Sequence, residues 1–204
     1  MRIGRKSMRS IALLFEVLLV SLLWAFSFRG PFNFWYAIFG TALVMIGLSL
    51  GHGVLSVIRP KLSDLLYGAL WGIFLFAITW VSSYVVRHHV PYLNAYVEST
   101  KALRSLAPNY VYVPVVFTVS TAEEFFWRGT VQRILILKVG KLPGYLIAVL
   151  LYVAAHVLSG NWALTLASLF AGLFWGFLYL YYRDLTPVWT SHLIWDALLL
   201  SVGI

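Results

Sequence analysis

The 204-residue chain predicts an all-α fold, a polytopic transmembrane helical bundle of about seven spans, within a range of roughly six to eight. Three observations predict it. Hydrophobic residues make up 61% of the sequence and charged residues 11%, whereas a water-soluble domain carries about 25% charged residues. The apolar residues fall in runs close to the ~20 residues a helix needs to cross a bilayer core of about 30 Å. The basic residues stand at the ends of those runs and not in one solvated patch, as topology signals do. A soluble core of this size and a disordered chain are both excluded. The net charge of +8 suits anionic lipid headgroups, with no nucleic-acid partner expected. With no cysteine, disulfide frameworks, thiolate metal sites and thiol nucleophiles are excluded together.

Arg2, Arg5, Lys6 and Arg9 precede a first apolar run over residues 11–28. It resembles a signal peptide, but Ser27 to Pro31 offers no small-x-small cleavage site, so an uncleaved first span is expected. Further runs fall at 34–57, 65–86, 110–137, 142–158, 162–182 and 188–204. Arg59, Pro60 and Lys61 separate the second from the third, Lys138 to Gly144 the fourth from the fifth, and Arg183, Asp184 and Pro187 the sixth from the seventh. With a cytoplasmic N-terminus, ten basic residues fall at inner ends, while Arg29, Arg87, Lys101 and Arg104 fall outside and Arg128 within a span. That orientation in the cell inner membrane follows from the positive-inside rule. The polar stretch 87–109 predicts an amphipathic helix lying in the interface. No repeat or low-complexity tract appears, so residues 1–204 read as one integral membrane domain, with the candidate catalytic motifs in 120–204.

Charged groups inside spans cost roughly 2.5 to 3.5 kcal/mol each on insertion scales when they face lipid. Glu16, Glu123, Glu124, Arg128, His156, His192 and Asp196 fall inside expected spans and should therefore face inward and pair. On a wheel of about 100° per residue, Glu124 and Arg128 share a face, acid before base, and form a structural ion pair. Glu123 lies about 140° from Arg128 on that wheel. Lacking the counter-ion, it is the acid free to take a proton, and the candidate general base.

Tyr152 and His156 stand four apart on the fifth span, and His192 and Asp196 repeat the spacing on the seventh, where Asp196 can orient the imidazole. From a turn near residue 140, Glu123 and His156 lie about 17 and 16 residues up two arms, roughly 25 Å each, and can face one another. His192 lies only about 5 residues, roughly 8 Å, beyond Pro187, so the spans must start at different depths or the fifth must end early. Thr165, Ser168, Gly172 and Gly176 form a small-residue stripe for helix packing. Glu16 is expected to face the bundle, and His52, His88 and His89 to be interfacial without a role.

Glu123-Glu124-x-x-x-Arg128, Tyr152-x-x-x-His156 and His192-x-x-x-Asp196, in this order and each within a span, resemble the CPBP family of CAAX proteases and bacteriocin-processing proteins, including type II CAAX prenyl endopeptidases. The resemblance covers about the last 85 residues; Tyr152 stands where phenylalanine is common, and Asp196 where some members have asparagine. It implies a glutamic intramembrane endopeptidase, in which Glu123 activates water and His156, His192 and Asp196 shape the site. A carboxylate cannot donate to an oxyanion, so that role falls to His192 with Asp196 as its orienter. The implied substrate is a protein or peptide, lipidated or with a C-terminal anchor, cut near its C-terminus in the bilayer, without a cofactor.

Two alternatives belong to other classes. A zinc-dependent membrane protease would use Glu123, His156, His192 and Asp196 as ligands, but no His-Glu-x-x-His occurs and no metal is expected. A non-catalytic binding, immunity or scaffold protein would keep the polar cluster for packing, and a transporter would use the carboxylates as a proton relay. A serine hydrolase at Ser159 beside His156 is discounted, since Ser159 stands at a span end.

Overall fold

The structure, a computed structural model, describes residues 2–202, with side chains from Ile11 on. The side chains of Arg2, Arg5, Lys6 and Arg9, and residues 203–204 of the last expected run, lie outside the described residues. Within them every regular element is helical.

α1 (Arg2–Arg29) and α2 (Phe34–Gly51) form the first hairpin. Asn33 caps α2 by accepting from the Trp35 amide at 2.9 Å. The second expected run is longer than its helix. Gly53 adopts φ 70°, a left-handed conformation open to glycine, and the rest of the run becomes a 3-10 turn, Val54–Val57. α3 (Leu62–His89) follows and takes up Arg87 to His89 of the expected polar stretch; then comes the short α4 (Pro91–Ala102), started by a proline and without a buried residue. After a 3-10 turn at Leu103–Leu106, α5 (Asn109–Glu123) runs through a π-helical stretch (Glu124–Gln132) into α6 (Arg133–Val139). α7 (Lys141–Val157), α8 (Trp162–Tyr182) and α9 (Thr186–Val202) complete the bundle.

Among the described residues four segments are long and apolar enough to cross a membrane: Ile11–Arg29, Phe34–Gly51, Leu62–His89 and Trp162–Tyr182. The α5-to-α6 rod, α7 and α9 make seven rods together with these, and they carry the polar residues. Leu14, Phe15, Leu70 and Phe170 on the outside are each more than 60% exposed, the surface a bilayer covers.

The connections gather at two ends. At one, the Leu185 amide donates to the Val57 carbonyl at 2.8 Å and the Arg59 amide to Thr186 Oγ1 at 3.2 Å, while Arg133 Nη1 donates to Ser56 Oγ at 3.1 Å. At the other, Trp35 Nε1 donates to the Leu103 carbonyl at 2.7 Å, Asn161 Nδ2 to Thr100 Oγ1 at 2.9 Å, and Arg104 Nη2 to the Leu199 carbonyl at 3.2 Å.

Between lipid-solvated helices the hydrophobic effect supplies little, so close packing has to hold the rods together. Gly68 and Gly72 of α3 let its backbone meet Pro187 and Ser191 of α9, and Gly172 and Gly176 of α8 receive the rings of Tyr152 and Tyr145 from α7. Of the three apolar clusters among the described residues, two flank the π-helical stretch. Leu13, Val17, Met45, Phe126 and Tyr152 form one, and Leu75, Phe125, Trp175, Leu178 and Val188 the other. The π-helical stretch runs between them with all nine residues buried, Phe125 facing one and Phe126 the other.

The depth of His192 follows from one contact. A side chain at Gly129 would collide with Val54 and Leu185, so the α8–α9 turn docks beside the middle of the α5-to-α6 rod, ten residues short of its end. α9 therefore starts inside the bundle, and its sixth residue after Thr186 reaches Glu124.

Candidate functional site

The polar groups enter the core on three rods: Glu123, Glu124 and Arg128 at the junction of α5 with the π-helical stretch, Tyr152 and His156 on α7, and His192 and Asp196 on α9. Glu123 is 5% exposed, Glu124 0%, Arg128 2%, His156 3% and His192 5%, so each needs a partner within the protein.

The backbone explains part of the arrangement. In the π-helical turn the bonding reaches five residues back: Thr130 Oγ1 donates to the Phe125 carbonyl at 3.1 Å, and the Arg133 amide to the Arg128 carbonyl. The 100° wheel applied to this segment is therefore too tightly wound. The four-residue pair forms nonetheless, with Arg128 Nη1 at 3.2 Å from Glu124 Oε1.

Glu123 makes no hydrogen bond with Arg128 among the described residues. Its Oε2 accepts the Tyr152 hydroxyl at 2.7 Å, and its Oε1 lies 3.8 Å from His156 Nε2. His156 Nδ1 is 2.9 Å from the Tyr152 carbonyl, which can only accept, so Nδ1 carries the proton and Nε2 presents a lone pair toward Glu123. The Trp24 ring packs on His156 at 4.7 Å between centroids.

His192 is held differently from the sequence expectation. Its Nδ1 is 2.8 Å from Glu124 Oε1, whereas its Nε2 is 3.6 Å from Asp196 Oδ2. The closer orienting carboxylate is Glu124, which thereby joins Arg128 and His192 in one network. Asp196 instead accepts the Ser120 hydroxyl from α5, a short bond that ties α5 to α9. The Trp175 ring lies flat on His192, centroids 3.6 Å apart and planes 22° apart, and fixes the plane of the imidazole.

Glu123, Tyr152, His156, His192, Asp196 and Ser120 line one cavity of about 360 Å³. Its walls are apolar and aromatic, with Phe28, Trp35 and Leu199 among them, and Lys101 and Arg104 stand at its α4 side. Among the described residues no three His, Asp or Glu side chains converge as ligands for a metal ion. Ser159 Oγ donates to the His156 carbonyl at 2.6 Å and is committed to the backbone.

Sequence reasoning missed four contributors. Tyr152 was read only as the start of a motif, yet its hydroxyl contacts Glu123, and the Arg128 guanidinium lies 4.5 Å over its ring. Trp175, Trp24 and Ser120 sit at ordinary apolar or small-residue positions, and no spacing singles them out. Away from this site, Glu16 bonds His52 at 2.8 Å, giving the first-span acid its partner and a predicted interfacial histidine a structural role.

The model of the Rce1-like family, type II CAAX prenyl endopeptidases, matches residues 105–198, slightly less than half of the chain. No curated protein and no solved structure matches. The matched segment runs from just before α5 into α9 and contains all three motifs, while α1 to α4 lie outside it. Over that segment the chain is similar to the CAAX-type, Rce1-like endopeptidases, and its long apolar helices are those of an integral membrane protein.

Proposed function

We propose that the protein hydrolyses peptide bonds near the C-terminus of lipidated or membrane-anchored proteins, with Glu123 activating the attacking water. The observation that carries this reading is the 3.8 Å separation of Glu123 Oε1 from His156 Nε2 at the cavity wall. Both atoms are acceptors, and one water at ordinary hydrogen-bond length from each can donate one proton to each. Its lone pairs are then turned outward to a scissile carbonyl.

Glu123 removes a proton as the water oxygen bonds to the carbonyl carbon. His192 lies between the Glu124 and Asp196 carboxylates and is stacked on Trp175; as the doubly protonated imidazolium it donates Nδ1–H to Glu124 and Nε2–H to the oxyanion. Collapse breaks the C–N bond, and the proton on Glu123 passes to the leaving amine, which returns the carboxylate. The buried walls exclude bulk water and strengthen each interaction. The apolar cavity suits a lipidated or anchored chain. The ten-to-four distribution of basic residues supports a cytoplasmic N-terminus in the cell inner membrane.

The test is cleavage of lipidated and transmembrane peptides by the protein purified in detergent. Turnover should survive chelators and disappear in Glu123→Gln. Chelator-sensitive turnover with stoichiometric zinc would favour a metalloprotease, and cleavage by Glu123→Gln at the wild-type rate would remove Glu123 from the mechanism.

A further inference from the structure

We propose that the catalytic cavity opens on the non-cytoplasmic face of the membrane, so that its substrates are the outward-facing segments of exported, lipidated or membrane-anchored proteins and not the tails of cytoplasmic ones. This rests on the reading of the cavity as the active site, and adds the side from which substrate arrives.

Two independent observations combine. The first is where the cavity lies. Above the level of Glu123 its lining comes from the C-terminal end of α1, the N-terminal ends of α2 and α8, the last turns of α9, and the cap made by α4 and the turn at Leu103–Leu106. Lys101 and Arg104 belong to that cap. The residues 52–61, 138–142 and 183–187 at the opposite end contribute none of the lining. The second-cluster side chains Val54, Leu185 and Val188, all 0% exposed, close the bundle beneath the site on that side. The cavity therefore extends from Glu123 toward the α4 end and not toward the opposite one.

The second observation is charge. The end without an opening holds Arg59, Lys61, Arg133, Lys138, Lys141 and Arg183, and the chain's start, with Arg2, Arg5, Lys6 and Arg9, is on the same side of the first span. The α4 end holds Arg29, Arg87, Lys101 and Arg104. The bias is ten to four, and stays six to four when the N-terminal four are set aside. Short loops rich in Lys and Arg remain in the cytoplasm, which puts the closed end inside and the mouth outside. A scissile bond presented there belongs to a chain that has already crossed the membrane, held by a lipid or an anchor in the outer leaflet.

The native chain has no cysteine, so single cysteines report sidedness without further engineering. Ala102→Cys at the exposed end of α4 and Pro60→Cys in the exposed opposite loop are labelled with a membrane-impermeant maleimide in intact cells and in inside-out vesicles. Ala102→Cys should react in intact cells, and Pro60→Cys only in the vesicles; the reverse pattern, or reaction of both from both sides, overturns the proposal. Alkaline phosphatase fused after α9, whose last turns line the mouth, gives a reading that needs no substitution: an active fusion supports the proposal and an inactive one overturns it. The two claims fail separately. Cleavage in detergent that depends on Glu123, with inverted labelling, would sink the sidedness and keep the protease; the expected labelling with Glu123-independent cleavage would do the opposite.

Discussion

In the proposed mechanism the two oxygens of Glu123 have separate roles. Tyr152 occupies Oε2 at 2.7 Å, which leaves Oε1 toward His156. A hydrogen bond to a charged group contributes about 1.5–3 kcal/mol, so Tyr152→Phe should lower kcat by roughly 10- to 100-fold and leave KM within about twofold, since the ring and its packing remain. Steady-state kinetics on both forms checks this, and an unchanged kcat would deny the hydroxyl a positioning role. Arg128 is the counterpart for stability. It is 2% exposed and neutralises a glutamate that is wholly buried. Removing one partner of such a pair leaves an uncompensated charge and costs about 3–5 kcal/mol, so Arg128→Met should unfold in detergent at markedly lower temperature than wild type. Much of this was legible: the four-residue spacing gave the Glu124–Arg128 pair, and polar residues within apolar runs gave all three motifs. The bond from His192 to Glu124 was not legible, because it joins residues 68 apart on different rods.

At the scale of elements, the site depends on where two rods begin. α9 starts inside the bundle because Gly129 lets the α8–α9 turn lie against the π-helical stretch, beside Val54 and Leu185. An added methyl group there overpacks the contact, at about 1–3 kcal/mol, and pushes α9 away from Glu124. Gly129→Ala should therefore lose both thermal stability and kcat, whereas Gly47→Ala on α2, with open space at its Cβ, should lose neither. Paired melting curves and rates separate local crowding from a general intolerance of α-helical glycine replacement. Asn161 is a second such joint: its side-chain oxygen caps α8 at the Leu164 amide, while its nitrogen reaches Thr100 and the Tyr96 carbonyl on α4. Helix existence was readable from the runs, to within a few residues. The π-helical winding was not, since no residue type announces it, and that is why the wheel gave the right pair from the wrong geometry.

For the whole molecule, the decisive property is an apolar outside around a polar interior. The exposed Leu, Phe, Trp and Tyr side chains of the rods require lipid or detergent, so the protein should stay in the membrane pellet after an alkaline wash and be released by detergent alone. Release by the wash would contradict the spanning architecture. Composition made this level the easiest to read from sequence, and the apolar runs gave the rods. What sequence could not supply was the cavity, because it is made by parts of α1, α2, α4, α5, α7, α8 and α9 that meet only after folding. The proposal that it is an active site rests on one carboxyl group. The most direct measurement is the single-turnover cleavage rate of Glu123→Gln beside wild type, on an anchored peptide and with equal melting temperatures confirmed for the two forms. Loss of general-base catalysis predicts a fall of about 10²- to 10⁴-fold, and a rate within a few-fold of wild type would contradict the account.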